Sequence, residues 1–451
     1  MHMRDSFGSK IGLVLATAGS AVGLGNVWRF PFMTGQHGGA AFIIIYIFFI
    51  ILLGIPGMVS EFIVGRHAAS NAARAYDRLS RGKPWKYVGV LGIVSSTIIL
   101  GFYSVVAGWC VQYLYASVEG EILGDAQYVQ NYFQEFSSSI ARPVAFGIGF
   151  IFLTHLVIVR GVRKGIERFS KMMMPTLFLL LLIIVVASCM LPGAVDGIAF
   201  LFMPDFSKVD GHVLLAALGQ AFFSLSLGTA CLCTYASYFK RDTNLVHSAA
   251  QIALIDTLIA VLAGLMIFPA AFSVGINPDS GPSLIFITLP NVFQKAFASM
   301  PLVGYVMSIL FYALLALAAL TSTISMHEIG TAFFHEELKS PRRVSAWFVT
   351  IIASVICVVS SLSVGAVPEL SLFGMPMMDC FDRLTAQLLL PLGGFLTCIY
   401  IGWYASRQEV YMEFTNDHKV NRSFFKTYIF FVKFVCPTLI IFIFLDQLGL
   451  L

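Results

Sequence analysis

Charged side chains are scarce in this sequence of 451 residues. Asp, Glu, Lys and Arg make up 12% of it, whereas 58% of the residues are hydrophobic and the mean hydropathy is +0.84. A soluble domain carries about 25% charged residues. The shortage excludes a water-facing surface over most of the chain. It predicts an all-α polytopic membrane protein whose outer surface contacts the lipid bilayer.

A concentrated positive charge is also missing. The net charge is +4, and the basic residues stand between the hydrophobic runs rather than in one patch, which argues against a nucleic-acid partner. No cleavable signal peptide is expected. The first apolar run, which begins near Ile11, is too long and has no small-residue cleavage pattern.

Signatures of enzymes and channels are incomplete or absent. Cys231 and Cys233 have the wrong spacing for a zinc site and lack a second pair, so we expect buried free thiols. The segment His327–Thr331 begins like a zinc-protease helix, but the second histidine is replaced by Thr331. We therefore expect no enzyme, with an intramembrane enzyme as a disfavoured alternative, and we interpret Glu328 as a buried polar anchor. An ion channel is disfavoured because no pore-lining repeat or filter is found.

The hydrophobic runs predict eleven membrane spans, since one span needs about 20 apolar residues. The predicted spans are 11–34, 39–65, 87–117, 143–160, 172–192, 212–239, 246–275, 300–334, 344–363, 380–405 and 424–446.

The connections between these spans differ in charge. Those at 66–86, 159–171, 335–343 and 406–426 are basic, and they all fall on one side of the membrane, here called the basic side. Basic loops stay in the cytoplasm. We therefore predict a multi-pass protein of the cell membrane with a cytoplasmic N-terminus and, after eleven spans, an extracytoplasmic C-terminus.

Two of the predicted spans are interrupted near their middle. In the first span, Gly23 and Gly25 weaken the helix just before Asn26 and Arg29, and in the sixth the run Ser224–Thr229 combines hydroxyl groups with a glycine. A broken helix frees backbone groups that need partners, and matching breaks in two halves indicate a transporter with a site at mid-membrane. Close helix packing at small residues is the alternative, which two breaks in matching positions disfavour.

These segments closely resemble the neurotransmitter:sodium symporter family, which has the LeuT fold. The segments that carry the resemblance are Gly19–Pro31, His37–Phe42, Gly219–Gly228, Thr234–Tyr238, Ala263–Pro269, Ala318–Ser322 and Leu388–Gly394. The resemblance implies one transporter domain over 1–451 with a 5+5 inverted repeat. The repeats would cover 11–192 and 212–405, and 424–446 would form the eleventh helix typical of a bacterial amino-acid transporter subgroup.

The resemblance implies two sites for Na⁺, a hard cation that prefers oxygen ligands. The second site would use the carbonyls of Gly19, Val22 and Ala318 and the hydroxyls of Thr321 and Ser322. The first site would use Ala21, Asn26, Ser224 and Asp256, together with the carboxylate of the substrate. This shared contact would couple the ion to the substrate, because each ligand improves the site of the other.

The resemblance also implies a small-molecule substrate with an α-carboxylate. Gly23 leaves room for that group, the amides of Leu24 and Gly25 suit it, and Tyr103 adds a hydroxyl. The amino group would meet the carbonyls of Ala21, Phe223 and Thr229 and the hydroxyl of Ser226. The side chain would contact Ile99, Phe223, Ser226, Thr229, Thr323 and Met326, and Ser224 and Ser322 are further expected substrate contacts. No charge lines that pocket, so we expect a neutral, hydrophobic L-amino acid. Thr229 replaces a bulkier residue of many relatives, which favours a larger substrate. Glycine or an osmolyte is the alternative, and Gly23 speaks against monoamines.

Asp256 bears on the anion requirement. Many animal relatives have a neutral residue here and bind chloride. Tyr46, Gln220 and Ser224 of this chain match the other parts of that chloride pocket. A carboxylate supplies the negative charge itself. We therefore expect chloride-independent transport, with proton release through Asp256 on the return step as a further hypothesis. A structural role is the alternative, although acids inside membranes are mostly functional.

The outer gate is expected to be an ion pair between Arg29 and Asp382 above the substrate, with Phe223 as a lid and Asp379 as a helper. Arg383 departs from the hydrophobic residue usual in the family, and it would compete with Arg29 for Asp382.

The inner gate would pair Arg4 with Glu336, near Tyr238. Gly165 and Pro175 match a family hinge that unwinds to release sodium to the inside. A monomer would suffice for transport, and an oligomer stays open.

Overall fold

The structure is a computed structural model that describes residues 6–275, 284–416 and 422–450. These residues are almost entirely helical, apart from one short hairpin. The helices are α1 (Lys10–Ala21), α2 (Gly25–Gln36), α3 (Ala40–Ala68), α4 (Ala72–Leu79), α5 (Lys86–Glu119), α6 (Ala126–Ser138), α7 (Ala141–Ile158), α8 (Val162–Cys189), α9 (Ala194–Phe202), α10 (Gly211–Ser224), α11 (Cys231–Ala236), α12 (Leu245–Ser273), α13 (Leu289–Ala296), α14 (Pro301–Glu337), α15 (Arg342–Ser363), α16 (Met377–Tyr404), α17 (Arg407–Thr415) and α18 (Phe424–Gln447).

Nine of the helices in the described ranges are long and apolar enough to cross a membrane, and the bent pair α1 and α2 makes up to ten. The nine are α3, α5, α7, α8, α12, α14, α15, α16 and α18. Large apolar side chains on their outer faces are exposed, as at Leu254 and Ile351, which suits contact with lipid. The predicted all-α membrane architecture is therefore confirmed, although its bounds shift by several residues from those expected.

The first predicted span is broken where its glycines stand. Helix α1 ends at Ala21, and Val22 turns into extended backbone with φ −71° and ψ 108°. Helix α2 begins at Gly25 and is inclined by 56° to α1. The Val22 carbonyl and the amides of Gly23 and Leu24 therefore leave the helical hydrogen-bond pattern and bond to side chains instead.

The sixth predicted span, 212–239, is also two helices rather than one. Helix α10 ends at Ser224 and α11 begins at Cys231. Between them Ser226, Gly228 and Ala230 have φ values of +53°, +79° and +60°. Left-handed backbone is costly for residues with a Cβ atom, so the surrounding structure must hold this segment in place.

Several predicted connections contain structure of their own. Helices α4, α6, α9, α13 and α17 lie in connections between predicted spans, and the strands β1 (Ser371–Leu372) and β2 (Met375–Pro376) form an antiparallel hairpin before α16. Asp125 caps α6 by accepting a hydrogen bond from the Tyr128 amide. These helices cover the ends of the bundle.

The long helices α5 and α14 pack against each other and against α7 and α15. The broken helix α1 lies beside α8, α12 and α14, and α10 and α11 contact α3. Both breaks are thereby enclosed at the centre of the molecule. The predicted relation between the repeats 11–192 and 212–405 stays a prediction.

Candidate transport site

The ligands predicted for the second sodium site lie together. The Thr321 hydroxyl donates hydrogen bonds of 3.0 Å to the Val22 carbonyl and 2.8 Å to the Ala318 carbonyl, and the Ser322 hydroxyl is 3.5 Å from the Val22 oxygen. Gly19 lies beside them, since a Cβ atom there would be 3.5 Å from the Cβ of Thr321. The break after α1 thus faces the middle of α14 with a cluster of oxygens that suits a hard cation.

The side chains predicted for the first sodium site also meet. The Asn26 amide oxygen accepts from the Gly23 amide at 3.0 Å, and its nitrogen donates to the Asp256 carboxylate at 2.7 Å. The Ser224 hydroxyl donates to the other carboxylate oxygen at 2.7 Å. Ala21 is the last residue of α1, next to the break. Both broken helices and α12 therefore converge at this point.

The predicted chloride-substituting pocket is built around Asp256. Its carboxylate also accepts from the Tyr46 hydroxyl at 3.2 Å, so three side chains donate to it. No ion pair joins it to a basic residue in the described ranges. Gln220 is fully buried, and neither its amide nitrogen nor its amide oxygen has a partner among the described residues. The pocket thus holds one carboxylate surrounded by neutral donors.

Gly23 lies in a space that admits no side chain. A Cβ atom there would overlap the Ser322 hydroxyl and would lie 3.2 Å from the Tyr103 hydroxyl. The Leu24 amide donates to that Tyr103 oxygen at 3.1 Å. A Cβ atom at Gly25 would be 3.6 Å from the Phe223 ring. Backbone amides and hydroxyls therefore lie close together next to the break, and groups of this kind bind carboxylates.

Two hydroxyls of the predicted side-chain pocket, those of Thr229 and Thr323, are already engaged, and Ser226 is half-buried. Thr229 donates to the Ser226 carbonyl at 2.7 Å and accepts from the Cys231 amide at 3.1 Å. Thr323 donates to the Leu320 carbonyl at 3.1 Å and shares a hydrogen bond of 2.9 Å with Thr154.

The apolar members of this pocket, Ile99 on α5 and Met326 on α14, are half-buried. Because their hydroxyls are engaged by protein groups, Thr229 and Thr323 have little capacity left for a polar substrate side chain.

The predicted outer ion pair is not formed in this structure. Among the described residues, no ion pair within 4.0 Å joins Arg29 to Asp382. The Arg29 guanidinium instead lies over the Phe223 ring, 4.2 Å from its centre, in a cation–π contact. Asp379, Asp382 and Arg383 are all exposed at the start of α16. Both Arg29 and Arg383 interact electrostatically with Asp382, and their expected competition stays a prediction.

The predicted inner pair of Arg4 and Glu336 stays a prediction. Arg4 lies outside the described residues, and Glu336 accepts from the backbone and side-chain amides of Asn71 at 2.9 and 3.0 Å. The Tyr238 hydroxyl donates to Glu328 at 2.6 Å, and Glu328 also pairs with Arg342. Glu328 was expected to be only an anchor. The acid in an apolar stretch of α14 was the feature of the sequence that indicated a further role for Glu328.

The predicted hinge at Gly165 and Pro175 is helical in this structure. Gly165 lies in a π-helical turn at Val162–Glu167, and Pro175 lies inside α8. Glu167 accepts from the Gly8 amide at 2.6 Å and from the Ser9 hydroxyl at 3.1 Å. The segment before α1 is thereby tied to α8. The unwinding of this hinge stays a prediction.

Two residues that hold the second break were missed in the sequence. Glu61 accepts hydrogen bonds from the amides of Gly228 at 2.8 Å and Cys233 at 3.4 Å. The Ser96 hydroxyl donates to the Thr229 carbonyl at 2.6 Å. Glu61 is the only acid within α3, a signal that pointed to function. Ser96 gave no signal, because serines in membrane helices are common and bond mostly to their own helix.

Known proteins resemble the chain over nearly its whole length. Residues 4–135 and 120–449 match the model of the sodium:neurotransmitter symporter family. An uncharacterized sodium-dependent transporter of Bacillus subtilis is 39% identical over 98% of this chain and 97% of its own, and one of Haemophilus influenzae is 32% identical over 99% and 98%. The sodium- and chloride-dependent taurine transporter of Bos taurus is 26% identical over 90% of this chain and 72% of its own.

A solved structure agrees with the fold. The crystal structure of MhsT in complex with L-phenylalanine superposes with a TM-score of 0.88 at 38% identity, over 99% of this chain and 100% of that one. The broken helices and the two oxygen clusters therefore lie in a LeuT-type transporter. The chain belongs to the sodium:neurotransmitter symporter family and is a sodium-dependent membrane symporter.

Proposed function

We propose that the chain carries neutral, apolar L-amino acids together with Na⁺ by alternating access, and that it does so without chloride. The observation that supports this most is the carboxylate of Asp256, which accepts from Asn26, Ser224 and Tyr46 and has no basic partner in the described ranges. A negative charge fixed at this point balances sodium as a bound chloride would. A relative such as the bovine taurine transporter is described as chloride-dependent.

The chemistry of the central space supports the substrate class. The Gly23 and Leu24 amides lie next to the hydroxyls of Tyr103 and Ser322, and such donors suit a carboxylate, which an amino acid supplies and a monoamine lacks. The hydroxyls of Thr229 and Thr323 in the side-chain pocket are engaged by protein groups, so a polar substrate side chain would find few partners there. MhsT, with its bound L-phenylalanine, accommodates such an apolar amino acid.

Two sodium ions are proposed, one in each oxygen cluster. The first would touch Asn26, Ser224 and Asp256 with the substrate carboxylate, and the second would join Val22 at the break to Thr321 on α14. An ion between the broken helix and α14 would stabilise one of the two conformations of the cycle. The basic connections favour a cell-membrane protein with its N-terminus in the cytoplasm.

The proposal is tested by uptake into proteoliposomes under an inward sodium gradient. A panel of labelled phenylalanine, leucine, glycine and the osmolyte betaine is offered in chloride and in gluconate medium. We expect phenylalanine or leucine to accumulate equally in both media and the two small zwitterions to be excluded. Accumulation of glycine or betaine would support the alternative substrate, and a requirement of the wild type for chloride would reject chloride independence.

The charge of Asp256 is tested in the same assay. Asp256→Asn should make uptake depend on chloride, because the pocket then lacks its fixed charge. Asp196→Asn, at an exposed acid on α9, is the matched control and should behave as the wild type. Chloride-insensitive uptake by the Asp256→Asn variant at the wild-type rate would contradict the proposed role.

A further inference from the structure

A second acid, separate from the sodium ligands, lies inside the membrane. Glu61 on α3 is 3% exposed. In the described part of the chain it forms no ion pair, and its hydrogen-bond partners are the backbone amides of Gly228 and Cys233. A carboxylate without a cation is costly to bury, by several kcal/mol in general. The transport site described above does not use this group.

A small cavity adjoins Glu61, between α3, the second break, α16 and α18. Its other lining residues are Leu53, Gly57, Phe222, Leu227, Gly394, Thr397, Cys398 and Ile440. The volume open to the centre of a water molecule is about 10 Å³, which is roughly what a single water requires. Thr397 and Glu61 supply the polar groups that such a water needs.

Hydroxyl groups continue from this cavity towards the basic side. The Thr397 hydroxyl donates to the Gly393 carbonyl at 2.9 Å and lies 2.7 Å from the Tyr76 hydroxyl. Tyr76 belongs to α4, within the basic connection 66–86. A water next to Glu61 would therefore complete a line of exchangeable protons from the second break to α4.

The groups that face Glu61 from the neighbouring elements do not neutralise a negative charge. On α4, α11 and α16 they are a phenol and two thiols, those of Tyr76, Cys231 and Cys398. The basic residue Arg66 on the same helix is engaged by Glu413 at 2.6 Å. A proton is thus the simplest species that removes the cost of the buried charge.

We propose that Glu61 is a proton-binding site that controls the second break. In the conformation described here the carboxyl is protonated. Its Oε1 atom accepts from the Gly228 amide at 2.8 Å, and its Oε2 atom, 3.4 Å from the Cys233 amide, carries the proton and donates into the cavity. When the break opens, the O–H bond transfers its proton to the cavity water. The resulting hydronium gives a proton to the Thr397 oxygen, Thr397 turns its own proton from the Gly393 carbonyl to the Tyr76 oxygen, and Tyr76 releases its proton towards the basic side, so that Glu61 is left as carboxylate.

Proton binding is tested by infrared titration of the detergent-solubilised full chain. A protonated carboxyl has a carbonyl stretching band that vanishes on ionisation. We expect Glu61→Gln to remove one component of this band and Asp256→Asn, the matched buried acid, to leave that component in place. An unchanged titration in the Glu61→Gln variant would overturn the proposal.

The stability of the same variant gives an independent check. Gln reproduces the acceptor and the donor of a protonated carboxyl, so the variant should unfold within a few degrees of the wild type. Glu61→Ala leaves the Gly228 amide without its partner and should be clearly less stable. A Glu61→Gln variant that fails to fold while the wild type is stable would contradict the protonated assignment.

The link to transport rests on the proposed function and is measured separately. In proteoliposomes the sodium-driven uptake of the wild type should change with the pH on the basic side of the protein, whereas the Glu61→Gln variant should lose this dependence. A wild-type pH profile in that variant would reject the control of the break. If the wild type carried none of the offered amino acids, the substrate proposal would fail while the infrared titration would still decide proton binding.

Discussion

The two broken helices are held by different kinds of partners. At the first break the freed groups bond to side chains that a ligand can replace: Thr321 on the Val22 carbonyl, Asn26 on the Gly23 amide and Tyr103 on the Leu24 amide. At the second break the Gly228 amide bonds to a buried carboxyl and the Thr229 carbonyl to Ser96. The backbone there is left-handed at three residues.

From this difference we expect the first break to bind ions and substrate and the second break to hold residues of the site in position. Hydroxyls and a carboxamide can turn from a backbone group to an ion, because their lone pairs serve both, so the first break can exchange protein partners for sodium and substrate. The second break is fixed by steric fit and by buried acceptors, and it keeps Ser224 and Phe223 in place at the site. We therefore expect substitutions at the first break to change ion affinity and substitutions at the second to change stability.

The largest effect is expected from Gly228→Ala. The φ of +79° costs about 1–2 kcal/mol for a residue with a Cβ atom, and that Cβ would overlap the Leu390 carbonyl oxygen. The variant should yield little folded protein, as measured by size-exclusion chromatography and thermal unfolding. Gly275→Ala is the control. Its φ is +69°, and no heavy atom of the described residues would lie within 4 Å of the added Cβ, so the variant bears only the backbone cost. Equal stability of the two variants would show that packing against α16 does not hold the second break.

Thr321→Ala should come next, and its effect should appear in sodium binding. Removing one hydroxyl ligand costs about 1.5–3 kcal/mol, which raises the sodium concentration for half-maximal uptake by roughly 10- to 100-fold. Thr321→Ser keeps the hydroxyl and should remain close to the wild type. Sodium-dependent thermal stabilisation provides the same comparison without transport. If the alanine and serine variants bind sodium alike, the hydroxyl at 321 is not a ligand.

The first break was largely predictable from the sequence and the second only in part. Gly23, Gly25 and Asn26 together weaken the helix and add polarity at one depth, which few structural roles explain. At the second break, Ser226 and Ala230 adopt left-handed backbone that their residue types disfavour. Only tertiary contacts impose such a conformation, and no local pattern records them.

Contacts between helices that lie far apart in the sequence were the other feature that could not be predicted. Glu61 meets Gly228 across 167 positions, and Tyr238 meets Glu328 across 90. The resemblance to the family supplied the sodium ligands and the gates, but it did not show that Arg29 lies on Phe223 rather than beside Asp382. The balance between a cation–π contact and an ion pair depends on local solvation, which a sequence does not contain.

The smallest effect is expected from Ser96→Ala. This variant tests most directly whether the second break affects stability without affecting sodium binding. Ser96 and Ser95 are adjacent, fully buried serines on α5. Ser96 donates to the Thr229 carbonyl at 2.6 Å, whereas Ser95 donates to the Leu91 carbonyl of its own helix at 2.7 Å.

Removing the bond from Ser96 leaves the buried Thr229 carbonyl with one partner fewer, which costs about 1–2 kcal/mol. The Ser95→Ala variant loses a bond that is nearly neutral to helix stability. Thermal unfolding should therefore occur a few degrees lower for Ser96→Ala than for Ser95→Ala, with the same sodium concentration for half-maximal stabilisation in both. A weaker sodium response in the Ser96→Ala variant would mean that the second break also shapes the ion sites, and the separation of binding from positioning would not hold.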